Sequence, residues 1–270
     1  MTHLILDSDI LLFQTMAAME VDIELQPDVY TRYVRLDDAR QEYYEKVEAL
    51  QKKFDAPNET TYHCFTTGSF FRKDIYPDYK GNRRGSKKPI GYAALKSEIL
   101  ANEQRSMQHD KIEADDLIGI IATSLQYELK DYVIASRDKD LKQIPGRHYW
   151  FGEDEVFIGL EQAERNWWEQ VLIGDKVDNI PGCPTIGPVR AAREVASWDM
   201  SKPLECWEKA VHVYGTKGKV EQPYQSALTA ARLTRLLRTG DYDFETKVCK
   251  IWSPPIPLNA SSHSNLQMNV

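Results

Sequence analysis

The sequence predicts an α/β protein, a mostly parallel sheet with flanking helices, followed by a C-terminal helical module. Three observations lead there. Short apolar runs stop abruptly at polar or charged residues, amphipathic helical patterns lie between them, and beyond Trp167 the chain turns to helical pieces joined by short loops. Unbroken apolar runs are what strands covered on both faces require. With 270 residues and 42% hydrophobic content, the chain has enough apolar mass for a sizeable core.

In chain order, the first run is His3-Leu4-Ile5-Leu6, ending at Asp7. The next, Thr61 to Phe65, ends at Thr66-Thr67-Gly68; Tyr132 to Ala135 ends at Ser136-Arg137-Asp138; and Arg147 to Phe151 ends at Gly152. In parallel sheets functional residues sit beyond the carboxyl ends of strands, where Asp7 and Asp138 fall. Between the first two runs, Asp38 can cap a helix that places Ala39, Tyr43, Val47, Leu50 and Phe54 on one face. Tyr79 to Gly91 holds three glycines and a proline among its charges and is expected to be a mobile loop. Glu113 opens a helix with Leu117, Ile118, Ile121, Leu125 and Leu129 directed inward. Farther on, Pro188 suits the first position of a helix, and the hairpin from Gly182 to Gly187 before it would present backbone N–H groups to a phosphate, flanked by Arg190 and Arg193. Tyr224 to Arg238 reads as a second packing helix. Residues 253–270, rich in Pro, Ser and Asn, read as a tail. The expected division is a metal-binding domain over 1–165, a helical module over 166–252 and the tail.

Several classes are excluded. The four cysteines show no CxxC spacing and the six histidines no HxxxH pair, so zinc and disulfide frameworks are not expected. No run of about 18 apolar residues exists, and Asp7 and Asp9 interrupt the N-terminal run too early for a signal peptide. A soluble intracellular protein is therefore expected.

The chemistry lies in eight acidic residues at the ends of four separated segments: Asp7; Glu113, Asp115 and Asp116; Asp138 and Asp140; Asp175 and Asp178. Carboxylates gathered on one rim repel each other, and divalent cations offset the cost. Acidic capping of a helix start explains Glu113 to Asp116 alone about as well; the third carboxylate and the other acidic ends favour metal. Net charge is −7, yet from Arg72 to Lys96 eight basic residues face two acidic ones, a local balance of +6. Arg72, Lys73, Lys80, Arg83, Arg84, Lys87 and Lys88 in that stretch suit a polyanion cleaved with metal help.

Five blocks in order resemble the 5′-3′ exonucleases of T-odd phages, within the flap endonuclease superfamily. They are Leu6-Asp7-Ser8-Asp9, Tyr79-Lys80-Gly81-Asn82-Arg83, Glu113-Ala114-Asp115-Asp116, Ser136-Arg137-Asp138-Lys139-Asp140 and Gly174-Asp175-Lys176-Val177-Asp178-Asn179-Ile180-Pro181-Gly182. The resemblance implies a PIN-like domain plus a helix-hairpin-helix module. It implies one divalent cation among Asp7, Glu113, Asp115 and Asp116, and a second held or supported by Asp138, Asp140, Asp175 and Asp178. The ions would be Mg²⁺, with Mn²⁺ able to substitute, as hard oxygen ligands favour. Lys80 and Arg83 match residues directed at the scissile phosphate. Gly182, Ile186, Gly187, Arg190 and Arg193 match a hairpin gripping duplex backbone, with a K⁺ ion between loop and phosphate. Two departures stand out: Thr67 occupies the place of an expected Asp, and Thr185 that of the hairpin's middle glycine.

The expected activity is metal-dependent cleavage of DNA from 5′ ends, flaps or primer RNA in an RNA–DNA hybrid, by a monomer in the cytoplasm, that of the host if the chain is phage-encoded. A DNA-binding protein with decayed catalysis and a toxin-like PIN ribonuclease are the other readings; the retained carboxylates oppose the first and the hairpin module the second.

Overall fold

The computed structural model describes residues 1–83, 85 and 87–256. Its elements run β1 (His3–Asp7), α1 (Ser8–Met19), β2 (Val21–Gln26), β3 (Val29–Tyr33), α2 (Leu36–Phe54), β4 (Thr61–Cys64), α3 (Arg72–Ile75), α4 (Tyr92–Asn102), β5 (Ser106–Met107), α5 (Ala114–Tyr127), β6 (Tyr132–Ala135), β7 (Gly146–Tyr149), β8 (Val156–Ile158), α6 (Leu160–Ile173), α7 (Pro188–Val195), α8 (Pro203–Thr216), α9 (Pro223–Thr234), β9 (Tyr242–Asp243) and β10 (Val248–Cys249). Two compact units form. The first comprises Met1–Phe71, Arg84–Leu160 and Leu236–Lys250; the second comprises Arg72–Arg83, Glu161–Arg235 and the described residues from Ile251 on.

The first unit is built on a six-stranded sheet in the order β5-β4-β1-β6-β7-β8. Every pairing is parallel except that of β7 with β8. The central strands are buried but for half-buried His3, and so their sequences are largely apolar. Register sets Asp7 opposite Cys64 and Leu6 opposite Ala135, so the chain leaves β1, β4 and β6 along one edge. Asp7, Thr66 and Ser136 all follow from that edge.

Helix α2 buries the five expected residues, Ala39, Tyr43, Val47, Leu50 and Phe54. Helix α5 departs from expectation at its end. Leu117, Ile118 and Leu125 are buried, but the helix stops at Tyr127, and Leu129 takes a left-handed φ of +57° and lies exposed. Ile120 and Ala122 fill the buried face instead. The hairpin of β2 and β3 had no counterpart in the sequence reading; both strands are exposed along their whole length. No buried stripe marked it.

In the second unit a tryptophan-rich core of Trp167, Trp168, Trp198 and Trp207 binds α6 to α8 together. Cys183 donates its backbone N–H to Leu172, and the backbones on either side of this bond approach so closely that a Cβ on Gly182 would lie 2.1 Å from the carbonyl oxygen of Ile173. A side chain there would force the hairpin open. The tail expected over 253–270 lies outside the described residues from 257 on. Among the described residues no helix is long and apolar enough to cross a membrane.

Candidate functional site

The first unit holds six of the eight carboxylates, three at or just past the ends of β1 and β6 and three at the start of α5. Asp7 is the N-cap of α1, its Oδ1 accepting from the Ile10 N–H at 3.2 Å. Its Oδ2 accepts from the Ser136 hydroxyl at 2.7 Å, and Ser136 Oγ in turn accepts from the Asp138 N–H at 3.0 Å. Ser136 thus couples the ends of β1 and β6. Asp138 caps the following 3-10 turn, accepting from the Asp140 N–H at 2.9 Å.

Burial dominates the electrostatics of Asp7. It pushes the carboxyl up to about 7, against the pull of the Ser136 and Ile10 hydrogen bonds, with the charges of Asp138 and Asp9 adding to the rise. A carboxylate so placed is what a cation would relieve.

Glu113, Asp115 and Asp116 each offer an oxygen within 4.8 Å of the others. Helix geometry explains the cluster, because an N-cap and the following turn converge on the first turn's axis. Asp116 is the most constrained of the three: Oδ2 accepts from the Glu113 N–H at 3.2 Å, closing a capping box, and Oδ1 from the Leu237 N–H at 3.1 Å. It is fully buried and also holds the segment after α9. The donors are all hard oxygens, a set that fits a divalent cation such as Mg²⁺ or Mn²⁺ and not a soft metal.

The second unit collects Asp175 and Asp178 with Lys80 and Arg83. Asp175 Oδ1 accepts from the Val177 N–H at 2.6 Å and the Asp178 N–H at 3.2 Å, which makes the turn. Asp178 pairs with Arg83 and lies 3.5 Å from Lys80 Nζ. The Lys80 N–H donates to the Asp178 carbonyl at 2.8 Å, and Asn82 Nδ2 to the Lys176 carbonyl at 2.8 Å. This end of the expected loop is therefore tied down over Tyr79–Arg83. Lys80 takes a left-handed φ of +55° to meet that pairing. Asp178, expected among metal ligands, is engaged by two cations of its own unit.

Four expectations about nucleic-acid contacts are corrected or bounded. Arg72 is 1% exposed; its Nε donates to the Leu233 carbonyl at 2.9 Å and a terminal nitrogen to the Arg235 carbonyl at 3.0 Å. It satisfies carbonyls left open at the end of α9, a buried role in place of the exposed one expected. Ile186 is buried in the helical core and spends its N–H on Cys183, so its side chain is a packing residue. Lys73, Lys87, Lys88, Gly187, Arg190 and Arg193 are exposed, while Arg84 lies outside the described residues. Thr185 adopts the left-handed φ of +69° that a glycine would have taken freely, and its hydroxyl donates to the Lys217 carbonyl at 3.3 Å. The Thr67 hydroxyl is shared between the carbonyls of Ser69 at 3.3 Å and His109 at 3.2 Å.

Ser136, Asp9 and Thr66 escaped the sequence reading as site residues. The signal was there for two of them, since Asp9 follows Asp7 by two residues and Ser136 precedes Asp138 by two, both within the acidic blocks.

Residues 2–165 match the model of the 5′-3′ exonuclease, N-terminal resolvase-like domain. The chain belongs to the 5′-3′ exonuclease family. It is 25% identical over 282 residues to the exodeoxyribonuclease of Enterobacteria phage T3, covering 93% of this chain and 92% of that one. The exonuclease of Escherichia phage T7 is likewise 25% identical over 283 residues, covering 93% of each. Among solved structures, the bacteriophage T5 5′-exonuclease with bound zinc superposes with a TM-score of 0.63 at 18% identity, covering 87% of this chain and 90% of that one. The T5 flap endonuclease in a complex with DNA and metal ions gives 0.58 at 16% identity, with the same coverage. These two likenesses concern the fold. Together with the family match, the acidic edge makes this chain a nuclease of the 5′-3′ exonuclease and flap endonuclease superfamily, with a cluster suited to divalent metal.

Divalent metal should stabilise the folded chain by mass action. At a concentration about 100 times the dissociation constant the gain is about 2.7 kcal/mol. Thermal melts with Mg²⁺ or Mn²⁺ should lie several degrees above those in chelator; superimposable curves would remove the cluster as a metal site.

Proposed function

We propose that this exonuclease removes nucleotides from the 5′ ends of duplex DNA or of flaps, and primer RNA from RNA–DNA hybrids, using two Mg²⁺ ions that Mn²⁺ can replace. The observation that carries this reading is Asp7, buried among carboxylates at the edge where strands β1 and β6 end. In it, Asp7, Glu113, Asp115 and Asp116 hold one cation, and Asp138 and Asp140, supported by Asp175 and Asp178, the other. When bound, such a pair lowers the pKa of a water and draws charge from the leaving oxygen. The chain's own residues do the rest. Ser136 holds Asp7 in the orientation that presents it, Asp138 is fixed by its own turn, and Lys80 and Arg83 take the scissile phosphate. Because Thr67 brings no carboxylate, the site around Asp7, Glu113 and Asp115 is the weaker of the two.

Duplex backbone away from the cut is held by Arg190, Arg193 and the hairpin from Gly182 to Gly187, with K⁺ between loop and phosphate. The protein acts as a monomer in the cytoplasm, that of the host if the chain is phage-encoded. Arg190 spends one nitrogen on the Thr185 carbonyl at 2.9 Å, which holds its guanidinium at the hairpin. Replacing Arg190 and Arg193 by alanine should weaken DNA binding and flatten its salt dependence by about 0.9 for each phosphate no longer neutralised. An unchanged slope would exclude both from the DNA interface.

The activity itself is tested with 5′-labelled duplex, flap, single-stranded DNA and RNA–DNA hybrid, each with Mg²⁺ and with chelator. Metal-dependent release of short products from 5′ ends is expected. Binding without cleavage would reject the reading, and so would cleavage of free RNA alone.

A further inference from the structure

Three elements of the first unit meet at one residue that the chemistry above does not use. Thr66, just past β4, donates its N–H to Asp9 Oδ2 at 2.7 Å. Its hydroxyl oxygen accepts from the N–H of Ala114, the first residue of α5, at 2.9 Å. Its carbonyl accepts from Lys96 Nζ on α4 at 2.5 Å. Asp9, in turn, accepts at Oδ1 from the Tyr92 hydroxyl at 2.5 Å, with Lys96 Nζ 3.8 Å away. Asp9 is two residues from Asp7, and Ala114 directly follows Glu113. Two carboxylate-bearing helix starts, those of α1 and α5, are thus fastened to the same residue by hydrogen bonds at its two ends.

We propose that Thr66, with Asp9 and Lys96, is a positioning unit that sets the spacing between Asp7 and the Glu113–Asp115–Asp116 cluster and so governs divalent-metal affinity. Carboxylates on the two helix starts repel in the absence of a cation, and the strain falls on whatever joins them. Thr66 joins them directly. The positive charge of Lys96, with its side chain 14% exposed, lies on the side of Asp9 and offsets part of that repulsion locally. None of the three needs to touch metal; each acts through the residues that would. The proposal rests on the metal-ligand reading given above.

The test compares Thr66→Val, which keeps the shape and loses the hydroxyl, with Thr66→Ser, which keeps the hydroxyl. Mn²⁺ binding to the DNA-free protein is measured by calorimetry, and the Mg²⁺ dependence of cleavage in parallel. Loss of a partner bonded directly to a ligand weakens metal binding by about 10- to 100-fold; Thr66 bonds residues next to the ligands, so the low end of that range is expected. Thr66→Val should therefore bind Mn²⁺ about tenfold more weakly and need correspondingly more Mg²⁺ for half-maximal rate, with the rate at saturating Mg²⁺ nearly restored. Thr66→Ser should behave as wild type. Equal Mn²⁺ affinity in wild type and Thr66→Val overturns the proposal, as does a Thr66→Ser defect equal to that of Thr66→Val. If Thr66→Val does not fold, Lys96→Met decides: loss of a positive charge near the carboxylates would by itself tighten Mn²⁺ binding, so weaker binding supports the proposal and unchanged or tighter binding overturns it. Wild-type protein that binds no Mn²⁺ sinks the metal-site reading itself, a result distinct from either.

Discussion

Asp7→Asn is expected to lower turnover by on the order of 10³-fold while making the metal-free protein more stable, two effects of opposite sign from one residue. The loss of activity follows from removing a charged oxygen donor at the acidic edge. The gain in stability follows from linkage. The Asp7 carboxyl is held at about 7 by burial, above its ordinary value near 3.8. As pH rises between those two values the unfolded chain gives up a proton that the folded chain retains, so metal-free stability falls through that window and levels off above it. The cost at pH 8 is roughly 2 to 4 kcal/mol.

Buried His63, held down to about 4 by desolvation, runs the other way: it costs stability as pH falls from about 6.5 towards 4. The difference between wild type and Asp7→Asn cancels that contribution. Melts of both in chelator should therefore converge near pH 4 and separate by pH 8, the variant melting higher. With saturating Mg²⁺ the order should reverse. An Asp7→Asn protein that cleaves at the wild-type rate, or that melts below wild type in chelator at pH 8, would falsify the role given to Asp7.

The second large effect is expected at Lys80 and Arg83. Alanine at both should lower the single-turnover rate at saturating DNA by on the order of 10²-fold or more, since one well-aimed donor to a developing charge is worth about 3 to 4 kcal/mol. A group that acts in the transition state alters the chemical step, and a tether alters affinity alone. Both side chains pair with Asp178, so their removal also leaves that carboxylate without these two cations. Single alanine variants separate the two consequences, because each leaves Asp178 its other cation. A rate loss already present in Lys80→Ala or Arg83→Ala alone stems from a missing donor to phosphate; a loss confined to the double variant stems from the Asp178 charge. Full recovery of rate at high DNA concentration would make the segment a tether.

The positions of the carboxylates in the first unit were legible because they follow a strand or open a helix, and short apolar runs reveal strand ends in any parallel sheet; Asp175 and Asp178 lie instead in the turn after α6. Asp7, Asp138 and Glu113 are such cases. Pairings were not legible. Arg72 and Lys80 carry the same charge eight residues apart, yet one is buried against the end of α9 and the other pairs with Asp178. Nothing in composition separates them, because the carbonyls that claim Arg72 come from residues 233 and 235. Thr66 and Thr67 are likewise adjacent and chemically alike, and only the path of the chain directs one to Asp9 and Ala114 and the other to the loop at His109.

By itself, then, the sequence determined the class of fold, the burial of the central strands and the accumulation of hard oxygen donors, since apolar periodicity and carboxylate placement are local properties of the chain. Tertiary structure decided which of those donors are held by which neighbours. It brought the Asp7 and Asp138 segments, 131 residues apart, to one hydroxyl on Ser136. It also spent Asp116 on the Leu237 N–H and sent Asp178 to Lys80 and Arg83. The reason is physical: a hydrogen bond or ion pair depends on distances of about 3 Å, and residues far apart in sequence reach such distances only after the chain has packed.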